Sequence, residues 1–565
     1  MLKSSLTTQL PTRLVVDRPP SLAPEPCDQA PAASVHSPSM ARWLFPSLTD
    51  MIFLVLLWLL AFAPMGAGLL NDADTGWHIR NGEHIMRTLS VPRTDDFSYT
   101  MNGKPWFAWE WMYDAGIGLL TARLGLNGVV LLTAAAIAFT FALLFRFLII
   151  ASGDLLVSAL LAVLAALSAQ VHMLARPHVV GWLLTLVWVR LLYRFQEGKT
   201  AALWWLPWLM LLWVNLHGSF VLGLVLMGLF AAANFWTYLV SPDAARRRES
   251  RTAIVLLGIA GVLSALATFV TPYGYKLHLH VYRYLSNRYF MDHISEFAAP
   301  KFHGGAEKYF VALVVLAFVT AVLTARRLRP IDVILMLFAT YSGLYAIRNV
   351  PVSSMLIALA IAPALSEAIR SAAQRSDLPH WLQRVCAGLE ERGTRMKTME
   401  DGMRGHLLPA IALVASLAVA LNGGRVFKTP LLAAQFDQKI FPVTAAEFVA
   451  AHDIHDHMFS TDRWSGYLIY RLYPQTRLFI DDRHDFYGEA YLKDYLKALG
   501  AELGWREVLD KNQMTAVLIP PDTPLANVLK ETSDWKVAYD DGVAILFTRV
   551  APLRASVSTR NNSRP

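Results

Sequence analysis

Asp72 and Asp74 stand directly behind an apolar run, Met51–Leu70 (MIFLVLLWLLAFAPMGAGLL), that is long enough to cross a bilayer. A carboxylate at the edge of hydrocarbon is costly, so an ionisable group placed there points to function. The hydrophilic stretch continues through Val91-Pro92-Arg93 to Asn102–Trp111 (NGKPWFAWEW), which adds Glu110 before the chain turns apolar again. Carboxylates of this kind can take a proton from a hydroxyl as general base. The Asp-Ala-Asp spacing also suits a hard cation, so Asp72 and Asp74 are candidate ligands for Mg²⁺ or Mn²⁺. Cationic groups punctuate the later apolar runs: Arg176 and His178 in MLARPH, His217 in WVNLHGSF, and Arg348 in IRNVP. A second hydrophilic stretch, 271–308, carries Lys276, His278, His280 and Glu296. Arg, Lys and His groups can stabilise a departing phosphate.

The elements that position these residues are membrane helices. The 565 residues are 55% hydrophobic and only 17% charged, less charge than a soluble protein of this length carries. About eleven apolar runs of helix-spanning length recur, near 51–70, 127–150, 155–173, 179–195, 201–216, 219–240, 253–271, 308–325, 331–347, 351–369 and 407–424. Helix is the expected form, because an open strand would leave backbone groups unpaired in lipid. Basic residues cluster in Arg194–Lys199, Arg246–Arg251, Arg326–Arg329 and Arg370–Arg404, all on one side if the spans alternate. The positive-inside rule makes that side cytoplasmic, with the N-terminus. The net charge of +8 is thus explained by topology, and no nucleic-acid partner is expected. Cys27 and Cys386, the two cysteines, both fall on the cytoplasmic side, where a disulfide is not expected. The candidate acids and bases all fall on the opposite face.

Residues 1–45 are rich in Pro, Ser and Ala and are expected to be a disordered cytoplasmic tail, with no cleavable signal peptide. Residues 46–424 form the membrane domain, with external loops at 71–115 and 271–308. In the first loop, GWHIRNGEHIMR reads as a short amphipathic helix with Trp77, Ile79 and Ile85 on the bilayer and Arg80 and Glu83 in water. Ala108–Leu124 reads as a helix leading into the second span. After Gly424 the composition turns mixed, and 425–550 read as a small extracytoplasmic α/β domain. Thr444–Glu447 has the form of a capping box. Strands are expected at Arg477–Asp481, Met514–Pro520, Trp535–Tyr539 and Val543–Thr548, with Asp541-Gly542 as a hairpin turn. Residues 551–565 read as a disordered tail.

Acids facing cations on one side of a membrane bundle are what sugar transfer from a lipid phosphate would need. A carboxylate would deprotonate the acceptor, cations would hold the phosphate, and an apolar groove would hold the polyprenyl chain. A nucleotide sugar fits less well, because the face lies away from cytosolic nucleotides.

In order, the chain has an Asp motif after the first apolar run, an amphipathic helix, V-P-R, then N-G-K-P-W-F with a nearby Glu. That order resembles the first external loop of GT-C membrane glycosyltransferases, above all protein O-mannosyltransferases and lipid A aminoarabinose transferases. The resemblance implies that Asp72 or Asp74 takes the first acidic role and Glu110 the second. W-F-A-W-E-W stands where that family often has a Glu-Lys-Pro run. His293–Glu296 (HISE), Trp464–Tyr467 (WSGY) and Phe479–Arg483 (FIDDR) resemble segments of oligosaccharyltransferase catalytic subunits, also GT-C. The aspartate of the family's W-W-D-Y-G segment is missing, so sequon recognition is not implied. The resemblance implies an inverting enzyme of a bacterial-type inner membrane. Its donor is a polyprenyl-phosphate-linked sugar, and its acceptor an extracytoplasmic glycan, lipid or protein.

A transporter or flippase for a lipid-linked or envelope substrate is the competing expectation. It would place charges and broken helices at mid-membrane, whereas the spans here are mostly free of charge at that depth. A partner-binding assembly or sensor protein is a third, and it leaves the Asp72 loop unexplained. One cavity shared by Asp72, Glu110, His217 and Arg348 separates an enzyme from both.

Overall fold

The computed structural model describes residues 45–324, 328–403, 405–454 and 457–550. The expectations for both tails, for Cys27, for Arg326 and Arg327, and for Arg404 lie outside the described residues.

The chain enters through α1 (Leu48–Ala61), opened by a capping box in which Ser47 and Asp50 exchange bonds. The first apolar run is not one straight helix. Pro64 disfavours helical backbone in the residue before it and opens a 3₁₀ segment, Pro64–Leu70, bent 70° from α1. There follow α2 (Asp74–Thr88), α3 (Trp111–Ser152), α4 (Leu155–Ala169), α5 (His178–Gln196), α6 (Leu206–Leu216), α7 (Phe220–Val240) and α8 (Ala244–Ala267). After these come α9 (Tyr275–Ser286), α10 (Arg288–His293), α11 (Glu307–Thr324), α12 (Pro330–Tyr345), α13 (Val350–Gln374), α14 (His380–Gly402) and α15 (Leu407–Leu421).

Among the described residues, seven helices are long and apolar enough to cross a membrane, or nine if each of two bent pairs is one span. The second bent pair is α14 with α15, at 66°. Two shorter apolar helices, Thr200–Leu216 and Pro330–Tyr345, complete the set. Every apolar run read from the sequence therefore forms helix. Phe318, Val322 and Val262 stay exposed on their outer faces, as lipid-facing side chains do. Gly125, at φ 60°, breaks α3 into a lead-in piece and a spanning piece, close to the expected end at Leu124.

The C-terminal part holds α16 (Val443–Ala451), α17 (Asp462–Leu472), α18 (His484–Leu499), α19 (Trp505–Lys511) and α20 (Pro524–Lys530). With them is a four-stranded sheet of β1 (Met458–Ser460), β2 (Ala516–Ile519), β3 (Trp535–Asp540) and β4 (Ile545–Arg549), in the order β1-β2-β4-β3. The first pair is parallel and the others antiparallel. Three of the four expected strands are present. Arg477–Asp481 is not one: only Leu478 forms isolated bridges, to Ser98 and Met458. The strand that pairs there is β1, too short to show a period of its own. The expected capping box at Thr444–Glu447 does not form either. The Thr444 hydroxyl donates instead to Asp541, in the turn after β3, at 2.5 Å.

α2 is the keystone for the site. A β-carbon on Gly76 would collide with the Gly466 carbonyl of α17, and one on Gly82 with the Asp114 carbonyl of α3. Backbones thus meet on both sides of α2. Trp77, Ile79 and Ile85 are consequently buried in protein rather than laid on the bilayer, which corrects the sequence expectation. Arg80 and Glu83 stay partly exposed and pair with each other at 2.7 Å.

Candidate active site

Asp72, Asp74, Glu110, Arg176, His178, His217, Glu296 and Arg348 all line one cavity of about 660 Å³ between the helix bundle and the C-terminal part. Lys276 does not; it is exposed on α9, outside the lining. Of the two histidines beside it, His278 bonds Thr268 at 2.7 Å and His280 bonds Asp485 at 2.7 Å.

The first cluster centres on Arg176, in the turn before α5. Thr75 fixes that turn by donating to the Ala175 carbonyl at 3.0 Å. The guanidinium reaches Asp72 at 3.0 Å, Glu296 at 2.5 Å, and Asp74. Burial works against its charge, but Asp72, Glu296 and Glu110 keep Arg176 protonated beyond its ordinary range. Burial alone would raise Glu296, yet Arg176 and then Arg348 hold it well below the usual carboxylate range. Arg348 is the less engaged cation: its nearest acid is Glu296 at 3.6 Å, and it stacks 4.8 Å over Phe297. His178 is turned away, bonded to the His172 carbonyl at 2.7 Å.

The second cluster centres on Glu110, which precedes α3. His78 lies 3.8 Å from one of its oxygens and His217 lies 3.5 Å from the other. Each histidine is braced from behind. His78 Nδ1 meets Asp114 at 2.5 Å, and His217 Nδ1 meets the Ser219 hydroxyl at 2.6 Å. Burial pushes Glu110 up to about 7, the nearby His78 opposing it. Burial also pushes His78 and His217 down to about 3, so both are neutral near pH 7.

The third cluster comes from the C-terminal part. Asp482 joins Asp72 and Asp74, with one oxygen of each within 4.8 Å of the others. Burial, with Asp72 beside it, pushes Asp482 up to about 8. Next to it Arg483 is clamped by Asp481 at 2.6 Å and Asp95 at 2.7 Å, and lies 4.5 Å over Trp106. Asp74 Oδ1 and Asp482 Oδ1 are buried with no hydrogen-bond partner. Three carboxylates with two orphaned oxygens form a donor set that fits a hard divalent cation. Asp482, His78 and Asp114 were not singled out from the sequence. The FIDDR segment was the one signal for Asp482. His78 and Asp114 were hidden inside helices.

Neither a protein-family model nor a curated protein sequence matches the chain. Solved structures do. The oligosaccharyltransferase of Archaeoglobus fulgidus in its apo form aligns at TM-score 0.52 and 12% identity, over 83% of this chain and 69% of that one. The oligosaccharyltransferase AglB from the same organism, in complex with an inhibitory peptide and a dolichol-phosphate, aligns at TM-score 0.53 and 10% identity, over 84% and 69%. ArnT of Cupriavidus metallidurans bound to undecaprenyl phosphate aligns at TM-score 0.43 and 14% identity, over 90% and 98%. The fold of this chain is that of the Archaeoglobus fulgidus oligosaccharyltransferase structures.

Proposed function

We propose that the protein transfers a sugar from a polyprenyl-phosphate-linked donor to an extracytoplasmic glycan, lipid or protein, with inversion at the sugar carbon. The observation that carries this reading is the shared cavity: Asp72, Glu110, His217 and Arg348 come from four distant parts of the chain and line one space. The dolichol-phosphate named with the archaeal AglB structure supports a lipid-phosphate donor on the same fold.

In this reading Arg348 grips the lipid phosphate, and Arg176 adds charge beside it. The polyprenyl chain leaves along the apolar wall of Phe338, Val352 and Leu356. Glu110, poised near neutral pH, takes the proton of the acceptor hydroxyl as its oxygen attacks the sugar carbon opposite the phosphate. Asp72, Asp74 and Asp482 would hold Mg²⁺ or Mn²⁺, whose charge would offset that of the phosphate. In the same reading the N-terminus is cytoplasmic and residues 425–550 lie outside a bacterial-type inner membrane, an orientation that the basic clusters support; a reporter fused after Val550 reads that side directly.

The test separates chemistry from transport. Purified protein is reconstituted in vesicles with a panel of labelled polyprenyl-phosphate sugars and an envelope extract as acceptor source. Transfer of label to a new product, with free polyprenyl phosphate left behind, supports the reading. Movement of intact donor between leaflets with no cleavage would replace it with the flippase.

A further inference from the structure

Asp114 is a fully buried acid inside the α3 span, at 0% exposure, and the transfer step as described does not use it. Its Oδ1 meets His78 Nδ1 at 2.5 Å, and its Oδ2 accepts from the Asn81 amide at 2.6 Å. His78 is itself 1% exposed, stacked on Trp77 at 3.7 Å and edge-on to Tyr113 at 5.5 Å. Its other nitrogen, Nε2, has no hydrogen-bond partner and points at Glu110, 3.8 Å away. A carboxylate, an imidazole and a second carboxylate therefore stand in line, running from the buried interior to the cavity wall. Burying such a chain is expensive unless its members act together.

We propose that Asp114 and His78 form a proton relay behind Glu110, with Asp114 as the buried site on which the acceptor's proton comes to rest. The proposal rests on the transfer reading above. As the acceptor oxygen bonds to the sugar carbon, the bond from that carbon to phosphate breaks, and the phosphate leaves with the electron pair. The acceptor proton goes to Glu110. Glu110 then gives a proton to His78 Nε2, while the Nδ1 proton of His78 passes to Asp114 Oδ1. The imidazole ends neutral, in its other tautomer, and Glu110 is an open base again. After product leaves, the same shift in reverse returns the proton through Glu110 to water.

Tautomer exchange suits this site because it never builds an imidazolium. Burial holds His78 at about 3, so a positive ring would be strongly disfavoured. The other charged or titratable groups facing the line are His217, Arg176 and Asp485 around Glu110, and Asp72, Arg483 and Tyr113 near His78. None of these bonds the far nitrogen of His78, which meets Asp114. His78 and Asp114 act through Glu110, so they are positioning residues in this account.

Asp114→Asn, His78→Ala and Glu110→Gln in the full-length protein test the relay. Asp114→Asn keeps an oxygen for Asn81 and removes the acid. It should lower kcat about 100-fold with the donor KM unchanged. His78→Ala should fall similarly, and free imidazole should restore part of its turnover. Wild-type kcat in Asp114→Asn would overturn the relay. So would losses in which KM rises with the fall in kcat and imidazole rescues nothing, since that is a structural pair. Infrared difference spectra between pH values above and below about 7 supply a readout that needs no substrate. The proton taken up on acidification should give a deuterium-sensitive band of a protonated carboxyl that is absent in Asp114→Asn and shifted in Glu110→Gln; a band indifferent to Glu110→Gln overturns the relay. If wild type cleaves no lipid-phosphate sugar while this band responds as expected, the transfer reading fails and the proton coupling stands.

Discussion

Gly82 on α2 and Gly118 on α3 lie backbone to backbone, so that a β-carbon on either would overlap the other helix. This contact brings His78 and Asn81 within reach of Asp114, and so sets the position of Glu110 at the head of α3. Gly82→Ala or Gly118→Ala should cost about 1–3 kcal/mol of stability and abolish turnover, as overpacking of a tight contact does. Gly116→Ala, on the same helix, meets nothing within 4 Å and should leave both unchanged. Thermal unfolding in detergent, paired with activity, checks the contrast. Equal behaviour of the three variants would dismiss the keystone role of α2.

Arg348 should show graded loss. Arg348→Lys keeps the charge and loses the planar fork, so it should retain more activity than Arg348→Ala and less than wild type. Donor binding should weaken in the same order. Normal donor binding and turnover in Arg348→Ala would make Arg348 a headgroup anchor and move the phosphate site to Arg176 and His217.

With the divalent cation bound, so that Asp482 stays ionised, the pH profile should have one limb. Glu110 accepts a proton only when ionised, and burial places it at about 7. Turnover should therefore fall as pH drops through about 7 and level off above it. His78 and His217 are neutral above about 3, so neither should add a limb from roughly pH 5 to 8. Rate measurements across that range decide the point, and a profile flat through pH 7 would remove Glu110 as the base.

Much of this site was legible in the sequence because its charges interrupt apolar runs. Asp72, Arg176, His217 and Arg348 stood out at helix ends, and a topology set by the basic clusters put them on one face. What stayed hidden depends on contacts between distant residues. Asp482 lies more than 400 positions from Asp72, as numbered, and no local pattern joins them. His78 looked like one polar residue on an amphipathic helix, and the glycine contacts that bury it are invisible to periodicity. The same contacts explain why Trp77 faces protein and not lipid. Lys276 lies outside the cavity lining because membership of a hydrophilic stretch does not say which side chains of a helix such as α9 reach it.

The Asp72, Asp74 and Asp482 set should bind a divalent cation. Mn²⁺ titration by electron paramagnetic resonance should find a protein-bound ion in wild type. Asp482→Asn and Asp74→Asn should each weaken it at least about 10-fold, the scale on which altering a metal's immediate surroundings acts. Asp72→Asn and Asp74→Asn should also lower turnover by about 100-fold. Unchanged Mn²⁺ binding in Asp74→Asn and Asp482→Asn would return the acids to pairing with Arg176 alone.

The most direct measurement follows the lipid product. Wild type and Glu110→Gln are each given a labelled polyprenyl-phosphate sugar with acceptor extract, and free polyprenyl phosphate and sugar-bearing product are quantified by mass. The account predicts stoichiometric release of polyprenyl phosphate with product in wild type, and about 100-fold less of both in Glu110→Gln. Transfer by Glu110→Gln at the wild-type rate, or no release from any donor by wild type, would contradict it.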